Sequence, residues 1–148
     1  MSKLLREDIV KQVKEVFDHQ LNHPVELLFF GSKQDCEHCD DTRQLVEEVT
    51  AISDKLSLSA YDIVDHAEIA QQYHVTMAPG LVIVAKEEDQ LIDYGIRYAG
   101  IPSGYEFSSL IQDLILVSSR DSGLAPETRA TLAEIKEPVL LQVFVTPT

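Results

Sequence analysis

The sequence predicts an α/β protein in which one mixed β-sheet is flanked by helices on both faces. Stretches with apolar residues at helical spacing alternate with short, strongly apolar runs, which gives the order β-α-β-α after an opening helix. The next two apolar runs are joined by a polar loop, and a further amphipathic stretch follows them. A crossover half followed by a hairpin half implies that parallel and antiparallel strands share one sheet.

The individual elements follow from this periodicity. Leu5, Ile9 and Val13 lie on one face of the opening helix, and Asn22-His23-Pro24 ends it. The predicted elements of the first half are a helix over residues 3–20, a strand over 25–30, a helix ending near residue 56, a strand over 58–64 and a helix over 68–73. Those of the second half are a strand over 81–84, a polar loop over 86–90, a strand over 91–99 and a helix over 107–117.

The last part of the chain has a different organisation. A polar linker occupies residues 118–125, and it precedes a predicted helix over 126–135 and a predicted strand over 139–145. The run Pro138–Phe144 repeats the pattern of Pro24–Phe30, which is a proline followed by an apolar strand. We therefore divide the chain into a domain over 1–122 and a segment over 123–148. The second segment is interpreted as a linker plus the first helix and strand of a truncated second unit.

Composition limits the classes of partner. The chain has 148 residues and a formal net charge of −13, so its surface repels phosphate. Nucleic acid and anionic membranes are therefore not expected as partners. The N-terminus is interrupted by acidic residues and does not read as a signal peptide, and we expect a cytoplasmic location.

The two cysteines, Cys36 and Cys39, are the clearest chemical signal. A disulfide across so short a loop removes little entropy from the unfolded chain, so a structural role is disfavoured. Two thiols at the start of a helix share one face, and the helix N-terminus favours a thiolate. Cys36 would attack a substrate disulfide, and Cys39, placed one turn inside the helix, would resolve the mixed disulfide. No cofactor beyond the redox-active Cys36–Cys39 disulfide is expected.

Metal binding is the main rival interpretation of this pair. Cys36, Cys39 and either His38 or Asp40 could supply ligands, but a zinc site commonly needs four ligands from two such turns. The second turn is missing from the sequence, and adjacent residues such as His38 and Cys39 bind one ion with difficulty. We expect no metal site.

Charged neighbours affect the thiolate in opposite directions. Asp35, Glu37, Asp40 and Asp41 disfavour it, each by roughly 0.6 kcal/mol at ~7 Å in water. Lys33 and His38 favour it. The residues predicted to modulate the thiol pKa are therefore His38, Glu37 and Lys33.

A proline marks the entrance to the central strand. Pro79 cannot donate a hydrogen bond to a sheet, and a cis Ala78–Pro79 bond would make a tight turn there. Such a turn beside Cys36 would let an extended substrate pair with the Ala78 backbone. An ordinary trans proline at a turn remains open from the residues alone. The predicted substrate-binding residues are Met77, Ala78 and Pro79.

These motifs resemble the glutaredoxin-like protein disulfide oxidoreductases, a branch of the thioredoxin superfamily with two such units in tandem. The resemblance extends over most of the chain and rests on the stretches Asp35–Asp40, Tyr73–Pro79, Gly95–Phe107 and Val143–Thr148. It implies a thioredoxin-like fold with Cys36 as nucleophile, Cys39 as resolving thiol and Pro79 as a cis proline beside them. It also implies that the chain ends before a second active site.

The sequence departs from the wider superfamily at Phe30, where many thioredoxins have a buried aspartate. The resemblance implies protein disulfides as substrates and a thioredoxin-reductase-type electron donor. A homodimer through the C-terminal strand is a further expectation. Two alternatives remain: a non-catalytic binding module that uses the Ala78–Pro79 face, and a glutathione-linked glutaredoxin, for which Gly100 lies in the relevant loop.

Overall fold

The predicted apolar runs assemble into one mixed sheet. The computed structural model describes residues 2–146, and its strands are β1 (Val25–Gly31), β2 (Leu56–Asp62), β3 (Gly80–Glu87) and β4 (Gln90–Ala99). Their order across the sheet is β2-β1-β3-β4. β1 is parallel to β2 and antiparallel to β3, and β3 is antiparallel to β4. The sequence prediction of a mixed sheet is confirmed.

Helices cover both faces of this sheet. They are α1 (Glu7–Gln20), α2 (Cys39–Thr50), α3 (Ala67–Gln72), α4 (Tyr105–Ser119) and α5 (Pro126–Ala133). α1, α2 and α4 pack on one face and build the larger core, in which Phe17, Val46 and Leu114 are buried. α3 packs on the other face and builds a smaller core around Phe30 and Val82. Side chains alternate between the two faces along β1, and for this reason the whole strand is buried.

Two helices are shorter than predicted. α1 begins at Glu7, because residues 2–6 instead run along α2, where the Glu48 carboxylate accepts the N–H groups of Leu4 and Leu5 at 2.9 and 2.8 Å. We call residues 2–6 the N-terminal arm. α2 ends at Thr50, because Leu56 already pairs with Val25 in the sheet.

The hairpin between β3 and β4 is tighter than predicted. Glu87 pairs with Gln90, so Glu88 and Asp89 alone form the turn. The register shifts between Ile83 and Val84, opposite Gly95, which has a φ of +88°. Glycine adopts this conformation without steric cost, and the bulge there agrees with the irregularity expected at Gly95.

The predicted C-terminal strand is wrong. α5 forms close to its predicted position, but residues 135–146 adopt no helix or strand. A strand needs a neighbour for its backbone N–H and C=O groups, and no strand of the described chain pairs with this segment. Pro147 and Thr148 lie outside the described residues. The division at residue 122/123 and the truncated second unit stay predictions.

Candidate active site

The two cysteines form a disulfide where β1 leads into α2. Their Cα atoms are 5.4 Å apart. Cys39 is the first residue of α2, and Cys36 precedes the helix in a turn, which corrects the prediction that Cys39 lies one turn inside. The reason is local, because His38 has a non-helical backbone and its carbonyl oxygen accepts the first helical hydrogen bond, from Thr42 N–H at 2.9 Å.

The two sulfur-bearing residues differ in accessibility. Cys36 is half-buried, whereas Cys39 is 6% exposed and belongs to the larger core. The backbone N–H of Ser32 donates a hydrogen bond to Cys39 Sγ at 3.3 Å. An incoming thiol can therefore reach Cys36 more easily, and a thiolate on Cys39 would have a donor in place.

Close packing beneath the disulfide explains a glycine at the end of β1. A Cβ atom at Gly31 would lie 2.9 Å from the Phe29 ring and 3.7 Å from Cys39 Sγ. Phe30 points to the opposite face, where its ring lies 5.4 Å from that of Tyr61. The position where many thioredoxins have a buried aspartate is therefore part of an apolar cluster.

A polar cleft of about 320 Å³ adjoins Cys39. The Asp62 carboxylate accepts backbone N–H groups of Lys33, Val64 and Asp65 at 2.9–3.0 Å. Hydrogen bonds from the Asp65 and Val64 N–H groups hold the pKa of Asp62 below its usual value. His66 is also in the cleft, with Nδ1 accepting the N–H of Asp62 at 3.1 Å.

Sequence reasoning did not single out Asp62, Asp65 or His66. The available signal was their position directly after β2, because parallel neighbouring strands bring their carboxyl ends to one edge of the sheet. Lys33 lies in the same cleft, and its ammonium group forms an ion pair with the Asp65 carboxylate. A hydrogen bond from Lys33 to Asp65 raises the pKa of Lys33. Its charge is thus directed at Asp65.

The acidic residues around the disulfide lack compensating cations. Asp35, Glu37, Asp40 and Asp41 are exposed, and none of them forms an ion pair with any residue in the described range 2–146. Arg43, on the same helix, is paired with Glu47 at 2.8 Å. His38, in the turn between the cysteines, is exposed as well. The surface around Cys36 is therefore strongly negative.

The proline loop reaches the same core region as the cysteines. The Ala78–Pro79 peptide bond is cis. Cys36 and Ala78 both pack against the larger core, and Met77 beside them is 59% exposed. The C=O of Pro79 accepts the N–H of Gly100 at 2.8 Å, which ties this loop to the end of β4.

Metal-binding clusters and membrane-spanning helices are both absent from the described part of the chain. Across residues 2–146, no group of three or more His, Cys, Asp or Glu side chains is arranged to hold a metal ion. No helix in the same range is long and apolar enough to cross a membrane.

Comparison with known proteins gives a consistent class. No protein-family model and no curated protein matches the chain. Solved structures match, including a protein disulfide oxidoreductase from Aeropyrum pernix with 27% identity, 88% of this chain and 55% of that chain covered, and a TM-score of 0.75. The alkylhydroperoxide reductase AhpF from Enterococcus faecalis matches with 22% identity, 89% and 61% covered, and a TM-score of 0.77.

A separate structure of the N-terminal domain of AhpF has 23% identity, covers 86% of this chain and 59% of that chain, and has a TM-score of 0.75. The fold and the cysteine pair thus define a thioredoxin-fold protein that carries a CxxC disulfide. More particularly, the chain is similar in structure to a protein disulfide oxidoreductase, as its sequence motifs predicted. It spans between 55% and 61% of the length of these three matched chains.

Proposed function

We propose that this protein exchanges disulfides with protein substrates through Cys36 and Cys39. The observation that carries the proposal is the asymmetry of the pair. Cys36 is half-buried in a turn at the edge of the sheet, while Cys39 is buried with a backbone N–H on its sulfur. A dithiol needs one accessible and one sheltered sulfur to form a mixed disulfide and then resolve it.

The exchange conserves atoms and electrons. In the oxidised protein, a substrate thiolate attacks Cys36 Sγ, the Cys36–Cys39 bond breaks, and Cys39 leaves as a thiolate that accepts the Ser32 N–H. A second substrate thiolate attacks the substrate sulfur of the mixed disulfide and releases Cys36. Two electrons pass from the substrate dithiol to the protein, and the substrate becomes a disulfide. The reverse sequence begins with a Cys36 thiolate and reduces a substrate disulfide.

Neighbouring residues have proposed supporting roles. Met77, Ala78 and Pro79 would bind the substrate backbone beside Cys36, and the exposure of Met77 supports this role. His38 and Glu37 would modulate the thiolate of Cys36. The ion pair between Lys33 and Asp65 makes the contribution of Lys33 smaller than its sequence position suggests.

Insulin reduction by the dithiothreitol-reduced protein tests the proposal. We expect activity in the wild type, no activity in Cys36→Ser, and a trapped mixed disulfide in Cys39→Ser. Full activity in Cys36→Ser would overturn the proposal. A pair that stays oxidised against excess dithiothreitol would favour a non-catalytic binding module, and activity that depends on glutathione would favour a glutaredoxin.

The cellular setting is also a proposal. We propose a cytoplasmic protein of redox homeostasis that receives electrons from a thioredoxin-reductase-type donor and needs no other cofactor. The fold shared with the alkylhydroperoxide reductase of Enterococcus faecalis is consistent with a donor of this type. Turnover with NADPH and a purified reductase, after extensive dialysis against a chelator, tests both points, because a requirement for added metal would contradict the second.

Exposed apolar residues support a proposal about assembly. Leu141, Val143 and Phe144 are 86%, 85% and 87% exposed, and long exposed apolar segments tend to pair between chains. We therefore keep the proposal that residues 139–145 mediate a homodimer. Sedimentation of the wild type and of a Leu141→Lys/Val143→Lys variant tests it, and a monomeric wild type at high concentration would contradict it.

A further inference from the structure

An apolar groove lies between the N-terminal arm, α2 and the start of α4. Its volume is about 450 Å³. The apolar residues that line it are Leu4, Leu5, Ile9, Leu45, Ile101 and Phe107. We call it the arm groove. It exists because the Glu48 carboxylate fixes the arm on α2, as described above, and leaves Leu4 43% exposed at its rim.

The arm groove begins close to the disulfide. Ile101 follows Gly100, whose N–H is bonded to the C=O of Pro79. On α2, Leu45 lies six residues after Cys39, which corresponds to about 9 Å along the helix. An extended peptide advances about 3.3 Å per residue. A substrate cysteine at Cys36 would therefore place a side chain about three residues away at the groove.

Negative charge separates the disulfide from the arm groove. Asp41 lies four residues before Leu45, on the same side of α2, and Glu37 lies in the turn between the cysteines. Both are exposed, and neither is paired with a cation in the described chain. The nearby cations have other partners, since Arg6 is paired with Asp8 at 3.0 Å and Arg43 with Glu47, while the Lys3 charge acts on Glu48.

We propose that the arm groove binds an extended segment of the substrate protein, in which a basic residue lies between the reactive cysteine and an apolar side chain about three residues away. The apolar side chain enters the groove, and the basic side chain lies against Glu37 and Asp41. This inference rests on the proposed disulfide exchange and names the class of substrate for it.

Activated peptides provide a direct test. The peptide Leu-Lys-Ala-Cys-Ala-Lys-Leu carries its cysteine as a 2-pyridyl disulfide, and the reduced Cys39→Ser protein supplies a single thiolate. Cys36 attacks the peptide cysteine sulfur, and pyridine-2-thiolate leaves and takes up a proton as the measured thione. Matched peptides replace both Lys by Gln, or both Leu by Ala. The ratio between two peptides cancels any change in the Cys36 thiolate itself.

We expect the Lys peptide to react about tenfold faster than the Gln peptide, because each carboxylate near 7 Å contributes about threefold. In Glu37→Gln/Asp41→Asn this ratio falls toward one. Asp54→Asn is the matched control, because Asp54 is exposed near the opposite end of the sheet, just before β2. An unchanged Lys/Gln ratio in the double variant would overturn the assignment.

The groove itself is tested by filling it. Ser103 is exposed and lines the arm groove, so Ser103→Trp places an indole there without removing a core side chain. We expect the Leu peptide to react about tenfold faster than the Ala peptide in the control, and this ratio to disappear in Ser103→Trp. A persistent Leu/Ala ratio would overturn the proposal, as would a wild-type dimer that Ser103→Trp dissociates, since a second copy would then be the occupant.

Failure of this inference is distinguishable from failure of the proposed function. Insulin reduction without any peptide preference would leave disulfide exchange intact and remove the substrate class. Absence of both insulin reduction and reaction with every activated peptide would remove the function itself.

Discussion

The backbone N–H of Ser32 donates to Cys39 Sγ at 3.3 Å, and this hydrogen bond distinguishes the buried cysteine from its partner. Ser32 directly follows β1, so the end of the strand, rather than a side chain, supplies the donor. A backbone donor is fixed by the fold and does not titrate. It can therefore stabilise a leaving Cys39 thiolate where Phe30 stands in place of a buried carboxylate.

The difference in burial predicts which thiol is alkylated. After reduction, we expect iodoacetamide to modify Cys36 at least about tenfold faster than Cys39, because only Cys36 is appreciably accessible and reactivity requires an exposed thiolate. Peptide mapping by mass spectrometry after short reaction times measures the two rates. In strong urea the two cysteines should react alike, and faster modification of Cys39 in the native protein would contradict the assigned roles.

Gly31 should resist substitution because of its packing, not its backbone conformation. In Gly31→Ala the new Cβ atom would meet the buried Phe29 ring at 2.9 Å, so we expect a loss of about 1–3 kcal/mol in the free energy of unfolding. Slower disulfide exchange should accompany it, because the same atom approaches Cys39 Sγ. Urea denaturation measures the first effect and insulin reduction the second.

A compensating variant separates these causes. Phe29→Leu removes the ring atoms that the new Cβ atom would meet, so Gly31→Ala should cost less in a Phe29→Leu background than in the wild type. An equal cost in both backgrounds would show that the clash with Phe29 is not the reason.

Local patterns predicted most of the fold, and contacts distant in sequence account for what they missed. The apolar face of α4 and the buried run of β1 are visible in the sequence alone. By contrast, the start of α1 depends on Glu48, which lies more than forty residues from the N–H groups that it accepts. No helical periodicity records such a contact. For the same reason the predicted helix over residues 3–20 begins too early.

The candidate site was predicted to a similar extent. The spacing of Cys36 and Cys39 indicated the disulfide, but the polar cleft depends on the parallel pairing of β1 with β2, which brings Asp62 beside Lys33. The C-terminal segment shows the opposite limit. Its composition favours a strand, yet no strand forms at Val139–Val145, because strand formation requires a partner as well as propensity.

A buried carboxylate in the sheet should make stability depend on pH. Glu26 is 7% exposed, accepts hydrogen bonds from Ser57 and Ser59, and forms an ion pair with Lys86 at 2.9 Å. Burial raises the pKa of Glu26, but the hydrogen bonds from Ser59 and Lys86 outweigh it, and the net pKa lies below the usual value. The charged form is therefore stabilised by folding.

The sign of the effect follows from this direction. A folded pKa below that of the unfolded chain, about 4.3, gives stability that is present above that pH and is lost as the pH falls through the folded pKa. We expect Glu26→Gln to lower the free energy of unfolding by about 1–2 kcal/mol at pH 7 and by less at pH 3. Glu15→Gln, at an exposed position on α1, is the control, and equal losses at both pH values would contradict the prediction.

The link between Glu48 and the N-terminal arm predicts a local effect of mutation. Glu48→Ala removes the acceptor for the N–H groups of Leu4 and Leu5, and each lost hydrogen bond to a charged group is worth about 1.5–3 kcal/mol at most. Leu5 is 8% exposed and still packs on the larger core, so the arm should loosen without global unfolding. We expect faster amide exchange at Leu4 and Leu5, with little change in the strands.

Hydrogen exchange followed by mass spectrometry measures this difference. Glu47→Ala is the matched control, because Glu47 is the neighbouring residue on α2 and pairs with Arg43 instead of the arm. Protection of Leu4 and Leu5 that is equal in wild type and Glu48→Ala would show that packing of Leu5, rather than the carboxylate, holds the arm. Because the arm forms one wall of the arm groove, Glu48→Ala should also reduce the preference for the Leu peptide over the Ala peptide, while Glu47→Ala should leave it unchanged.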